Sequence, residues 1–217
     1  MKLKEKDFVE VEYTGKLKEE GAVFDTTDEK IAKDNNIHNE DNTYGPVIVC
    51  IGQNQVLEGL DKNLIGKETG KEYTIELSPE EAFGKKNPKL IQLVPTSKFM
   101  KQKIQPMPGL QVNIDGMIAM IKTVSGGRSM VDFNHPLSGK DVVYNLKINK
   151  VIMDDSDKLK AYFKISLALK EINMELKEGT AKVTLKNDIP KEAKEKLNEK
   201  VVELIPNVKK VEFVTKQ

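Results

Sequence analysis

Two histidines, one cysteine and no tryptophan leave this chain few carriers of conventional catalysis. His38 and His135 stand far apart in sequence, so no metal-ligand spacing is present and no metal is expected. Cys50 lies in the apolar run Val47-Ile48-Val49-Cys50-Ile51 with no histidine nearby, the setting of a small buried hydrophobe rather than an activated thiol. No glycine-rich loop leads into a Lys-Ser or Lys-Thr pair, which excludes a phosphate cradle, and no cofactor is expected. What remains is a set of apolar and aromatic residues at strand ends with one acid among them, material for a pocket rather than for a nucleophile.

The stretch that must position such a pocket runs from Gly45 to Gly66. Its apolar strand stops at Gly52, and a polar turn, Gln53-Asn54-Gln55, follows. Val56, Leu60 and Leu64 then recur every four residues, which stacks them on one face of a short helix. Asn54 is the expected N-cap and Gly66 the expected left-handed residue after the last turn. The apolar face packs under a sheet and can also form the floor of a pocket.

Around it, Phe8–Tyr13, Lys71–Leu77 and Val142–Ile148 alternate with period two, as half-buried strands do. Ala22–Thr27 returns from a turn at Glu19-Glu20-Gly21, and residues 28–43 form a polar excursion with one helical turn at most. Between Lys85 and Phe133 lie four of the nine prolines and five of the eight methionines. Four short strands are expected there, at 90–94, 110–114, 116–124 and 128–133, with Gly126-Gly127 as the last hairpin turn. Beyond Asp154 come a helix over 158–168, a hairpin about Glu178-Gly179, an amphipathic helix from Pro190 to Leu204 and a final strand over 208–214.

Of the 217 residues 38% are hydrophobic and 32% charged, with a net charge of +1 and both signs interspersed. That balance gives no reason to expect nucleic acid or an anionic membrane as partner. The charged start from Lys2 to Asp7 is no signal peptide and no apolar run is long enough to span a bilayer, so a cytoplasmic location is expected.

Tyr13-Thr14-Gly15-Lys16-Leu17, Val23-Phe24-Asp25, Gln55-Val56-Leu57-Glu58-Gly59-Leu60 and Ala82-Phe83-Gly84 fall in the order and spacing of the FKBP-type peptidyl-prolyl isomerases, which the chain resembles over roughly residues 1–84 and 134–152. About fifty residues separate Gly84 from the re-entry loop Asn134–Lys140, an architecture similar to the SlyD-like branch, whose inserted domain binds unfolded chains. With a further C-terminal stretch, the whole resembles the long archaeal FKBP chaperones. The resemblance implies an α+β fold: an antiparallel sheet wrapped on a short helix (1–84 and 134–152), a small β-rich insert (85–133) and a C-terminal α+β domain (153–217). It implies a pocket lined by Tyr13, Phe24, Asp25, Val47, Val56, Leu57, Phe83 and Tyr144, floored by Leu60, with Leu137 of the re-entry loop touching substrate. Leu60 stands where short members have tryptophan, Phe83 replaces a tyrosine and Val47 an aromatic, changes that weaken macrolide binding more than isomerisation.

The activity so implied is rotation of X-Pro bonds in unfolded or partly folded polypeptides. Phe99, Met100, Ile104, Met107 and Leu110, with Met117 and Met120, offer the insert an open apolar cleft for such chains, methionine being adaptable. Their plain alternative is the insert's own core, and a mixture is expected. A non-catalytic holdase or assembly module with a vestigial pocket is the competing function. A homodimer through the C-terminal domain is a further expectation.

Overall fold

The computed structural model describes residues 2–215. It divides into two compact units, Met1–Leu77 with Asp141–Gln217, and Ser78–Lys140.

The sheet of the first unit is threaded on β1 (Phe8–Leu17), long enough to have both edges in use. One edge pairs with β9 (Val142–Val151), which in turn pairs with β4 (Lys71–Leu77). The other edge is divided: β3 (Val47–Cys50) pairs with Phe8 to Val11, and β2 (Val23–Thr26) with Thr14 to Lys16. All four pairings are antiparallel. The alternation in β9 buries Val142, Tyr144, Leu146 and Ile148, as its spacing predicts, with Ile75 and Leu77 beside them. Between β2 and β3 the polar excursion forms one short helix, α1 (Glu29–Asp34), capped by the Asp28 carboxylate on the Ile31 N–H.

Against β4 packs α2 (Glu58–Leu64), burying Leu60 and Leu64. Its start differs from the expected one. Asn54 is not the cap: it sits at φ +51° in the preceding turn, and the cap position falls to Leu57, which has no polar side chain to offer. The loop is tied instead by Asp61, whose buried carboxylate accepts from the N–H groups of Gly52 at 2.9 Å and Asn54 at 2.8 Å. Gly66 is left-handed at φ +80°, as its place after the last turn requires.

Past β9 the chain forms α4 (Asp155–Ser166), capped by Asp154, then β10 (Asn173–Lys177), β11 (Thr180–Leu185), α5 (Lys191–Leu204) and β12 (Lys210–Thr215). β10 and β11 are a hairpin, while β12 lies parallel to β11, the arrangement a helical crossover allows. This stretch shares one apolar core with the main sheet: Phe8 of β1 and Cys50 of β3 are buried with Leu159, Phe163, Val183, Val201 and Leu204. Burial pushes the Cys50 thiol up to about 12, which leaves it unreactive near neutrality.

The second unit is a four-stranded antiparallel sheet of β5 (Ile91–Pro95), β6 (Gln111–Ile114), β7 (Met117–Ser125) and β8 (Arg128–Asp132), in the order β5-β8-β7-β6. A helix that the sequence pattern did not signal, α3 (Thr96–Lys101), follows β5. Phe99 from this helix joins Val112, Ala119, Ile121 and Val131 in the unit's core.

Candidate functional site

The site grows from a row of residues paired directly across three strands. Gly15 of β1 stands between Asp25 of β2 and Tyr144 of β9, so all three belong to one sheet face. The β1–β2 register slips between Gly15 and Lys16, which leaves Phe24 as an extra residue beside Asp25. Gly15 is what lets the rings approach. A Cβ there would lie 2.8 Å from Phe24 Cζ and 2.9 Å from Tyr144 Cε1, closer than any side chain tolerates. Into that clearance the Phe24 and Tyr144 rings pack edge to face at 5.8 Å, and Tyr13 meets Tyr144 at 5.7 Å.

Three threonines fix the strands behind the rings. The hydroxyls of Thr14 and Thr26 lie 2.8 Å apart, the Tyr13 N–H donates to Thr27 Oγ1 at 3.0 Å, and the Thr27 N–H donates to the Tyr13 carbonyl at 3.0 Å. The Tyr13 hydroxyl in turn donates to the Asp25 carboxylate. Burial raises the Tyr13 phenol, and the neighbouring Asp25 charge raises it further. Tyr144 is raised for the same reasons, burial first, then Asp25 and Tyr13. Asp25 itself lies above the usual carboxylate range, because burial outweighs the hydrogen bonds from Tyr13 and the Thr26 backbone.

Tyr13, Asp25 and Val47 open onto a cleft of about 410 Å³, with Tyr44 on its rim. A larger hollow of about 970 Å³ lies over Glu12, Glu72, Asn145 and Lys147 beside α1; Tyr13 lines it as well, but neither Asp25 nor Val47 does. Leu60 is buried within α2, and Val56 and Leu57 are half-buried in the turn that leads into it. As the cap residue of α2, Leu57 has a backbone N–H that finds no acceptor among the described residues. The structure thus joins Tyr13, Phe24, Asp25 and Tyr144 through direct contacts and places Val47 on the same cleft.

Phe83 and Leu137 belong to the second unit. The Phe83 ring stacks on His135, centroids 4.9 Å apart and planes within 3°, and its carbonyl accepts from the Ser138 hydroxyl at 3.0 Å. Gly139 N–H donates to the Gly84 carbonyl at 2.8 Å, completing the clasp between the two segments. Among the insert residues expected to meet unfolded chain, Phe99 is a correction: at 3% exposure it is the insert's own core and cannot offer its ring outward. Ile104 and Leu110 pack partly against that core. Met100, Met107 and Met117 are exposed, and Met120 is half-buried. Strand pairing puts Met120 on the sheet face away from Val112, Ala119 and Val131, together with Leu93, Met130 and Ile118. Leu93 and Ile118 are 59% and 62% exposed and were not anticipated as contact residues. Ile118 carried a signal, since it precedes buried Ala119 in an alternating strand, whereas Leu93 has no buried neighbour on β5.

Also missed were Asp61, Thr26 and Thr27, which hold the backbone around the site; Thr26 and Thr27 line the cleft as well. No local pattern marks an acid as the anchor of a loop seven residues earlier in the chain.

Residues 1–106 match the family model described as FKBP-type peptidyl-prolyl cis-trans isomerase, and residues 92–137 match that of the FKBP26 IF domain. A short-type peptidyl-prolyl cis-trans isomerase of Methanocaldococcus jannaschii is 32% identical over 71% of this chain and 98% of its own length. The FKBP-type 16 kDa isomerase of Escherichia coli K12 is 33% identical over 51% of this chain and 76% of its own. SlyD of Helicobacter pylori is also 33% identical, over 53% of this chain and 61% of its own. Among the described residues no helix is long and apolar enough to cross a membrane. With matches that run through both units, and an aromatic cluster built from the segments that carry the motifs, the chain belongs to the FKBP-type peptidyl-prolyl cis-trans isomerases, on the SlyD-like side of that family.

Proposed function

We propose that the cleft at Tyr13, Asp25 and Val47 is where this chain rotates X-Pro bonds, and that the insert holds unfolded polypeptide for it. The functional modules in this reading are 1–84 with 134–152 for isomerisation, 85–133 for chain capture and 153–217 as a C-terminal module. The observation that carries the reading is the ring cluster of Phe24, Tyr13 and Tyr144, packed over Gly15 and hydrogen-bonded to Asp25.

The chemistry asks for nothing more. Amide resonance sets a barrier of about 18–20 kcal/mol to rotation. At the twisted transition state that resonance is gone and the group is less polar, so an apolar cleft favours it over the planar amide in water. Proline is the natural guest: its ring is apolar and its bond lies near cis/trans balance. A thousandfold acceleration needs about 4 kcal/mol of preferential stabilisation. One buried ring and one or two aligned hydrogen bonds suffice for that. The Leu57 N–H, which has no acceptor within the described protein, is available to a carbonyl of the bound chain. Asp25 acts in this reading by orienting the Tyr13 ring through its hydroxyl.

For the insert, the face bearing Leu93, Met120, Met130 and Ile118 is the proposed contact for unfolded chain, with exposed Met100, Met107 and Met117 as further contacts elsewhere on the insert. Linking capture to catalysis raises the local concentration of prolyl segments. Weak macrolide affinity, a homodimer through the C-terminal module and a cytoplasmic site of action complete the reading. They are checked by fluorescence titration, sedimentation and fractionation.

The test compares a short prolyl peptide with a proline-limited unfolded protein. Acceleration of the peptide by the intact chain, lost with Asp25→Ala and Phe24→Ala, supports the cleft. Ile118→Ser with Leu93→Ser is expected to spare the peptide reaction and slow the protein one several-fold. An intact chain that never accelerates the peptide leaves only a holdase.

A further inference from the structure

The cleft has a wall that none of the motifs accounts for. Facing Tyr13, Asp25 and Val47 across it stand Lys164, Ala168, Leu169 and Lys170, all from the C-terminal stretch. Their place there follows from packing. Leu159 and Phe163 of α4 are buried in one core with Cys50 of β3, and Ile48 packs against it, which sets the last turn of α4 beside Val47 at the head of β3. The turn is closed by a left-handed residue, Ala168 at φ +50°, and by the Leu169 N–H donating to the Lys164 carbonyl at 2.9 Å. Lys170 is occupied, with its ammonium 3.5 Å from Asp41 on the cleft's third side. Lys164 is exposed, and no carboxylate lies within 4 Å of its ammonium among the described residues.

We propose that the C-terminal module supplies a wall of the prolyl cleft and that Lys164 on it selects polypeptides carrying a carboxylate next to the proline. This rests on the isomerase reading of the cleft. The charges at the mouth favour it. Asp41 is paired with Lys170, and Asp25 keeps its charge but is half-buried behind the Tyr13 hydroxyl, so Lys164 is the exposed, unpaired charge on this wall. A carboxylate one residue from the ring gains from that ammonium, and an ammonium there is repelled. The plainer role of Lys164 is to offset the negative end of α4, which would alter thermal stability and leave substrate preference untouched.

The experiment uses the full chain and two sets of short peptides with Glu, Gln or Lys immediately before or after proline. The ratio of kcat/KM between the Glu and Lys members is measured for the wild type, Lys164→Gln and Lys164→Glu, at low salt and at 0.5 M salt. An exposed charge pair of this kind is worth about threefold. The wild type is expected to favour Glu by about that factor in one set. Lys164→Gln should bring the ratio near one, Lys164→Glu should invert it, and added salt should compress all three toward one. A ratio that is the same in all three proteins, with the Gln peptide turned over normally by the wild type, overturns this inference alone. Failure of the wild type to accelerate even the Gln peptide removes the isomerase reading, and this inference with it.

Discussion

At and behind the cleft, the rings of Tyr13, Phe24 and Tyr144 are held by their neighbours. Tyr13 is anchored through its backbone by Thr27 and through its hydroxyl by Asp25, and Phe24 and Tyr144 press edge to face over a glycine. On the insert, Leu93 and Ile118 project from a sheet whose other face is covered by Phe99, and among the described residues nothing of the insert packs over them. Both surfaces present apolar side chains, the cleft with charged ones at its mouth. One is fixed in shape before any guest arrives, and the other is left to adapt. A fixed cavity can discriminate a twisted amide from a flat one, because preference for a transition state needs groups that do not rearrange with the guest. An adaptable face cannot do that, but it can accept many sequences.

The contrast breaks most sharply inside the insert. Phe99→Ala should cost about 3–5 kcal/mol, the usual range for emptying a buried phenylalanine site, and should unfold the insert's sheet first. Met117→Ala, at a side chain 56% exposed, should stay within about 0.5 kcal/mol. Hydrogen exchange on β6, β7 and β8 reads both. If Phe99→Ala left these strands as protected as the wild type, Phe99 would not be the pin of the core, and the division of the insert into a covered and an open face would be wrong.

Next in size is Gly15→Ala. The added methyl meets two ring carbons at under 3 Å, and both rings are wedged between strands, so the overlap cannot be relieved by a flexible side chain swinging away. The substitution should cost about 1–3 kcal/mol of stability and lower kcat/KM on a prolyl peptide tenfold or more, about 1.4 kcal/mol in barrier. The conformation of Gly15 adds nothing to this, since its φ is not in the left-handed region; the effect is one of space alone. Unchanged peptide turnover would mean that the Phe24–Tyr144 contact is not part of the catalytic surface.

How far the residues announced this arrangement varies with the physics that places each part. Val142, Tyr144, Leu146 and Ile148 were legible because period-two burial is a local property of one strand. Tyr13, Phe24 and Asp25 were legible as a set only through a family pattern, since cross-strand pairing brings them together and no spacing within one segment does. Asn54 misled because asparagine suits both an N-cap and a left-handed turn, and the carboxylate that decided between them, Asp61, lies seven residues downstream. Phe99 misled because a large apolar residue reads the same whether it faces inward or outward. α3 is six residues long and follows a proline that ends β5, too brief for periodicity to rise above noise. The wall from Lys164 to Lys170 had no local signal at all, because a core formed far from the cleft puts it there.

The smallest effect concerns the half-buried acid beside the rings. Burial raises the Asp25 carboxyl above its ordinary value, so the folded chain binds this proton more tightly than the unfolded chain does. Its contribution to stability is therefore greatest below the unfolded value of about 3.9 and is lost as pH rises through the higher folded value. Near neutrality Asp25 is a cost. Asp25→Asn keeps an acceptor for the Tyr13 hydroxyl and removes the buried charge, so it should raise Tm slightly at pH 7 and have no such advantage at pH 3.5. The difference should stay below about 1 kcal/mol, because a half-buried carboxylate is still screened by water. Several other acids, Asp132 and Asp155 among them, are shifted the opposite way by hydrogen bonds and lysines, so the raw pH profile of the wild type hides the effect. Subtracting the variant's profile from that of the wild type isolates it. Peptide turnover by the same variant then separates the two roles open to Asp25. Rates within a few-fold of the wild type fit a group that orients Tyr13, and a loss as large as that of Asp25→Ala would require the negative charge itself to act on the twisted amide.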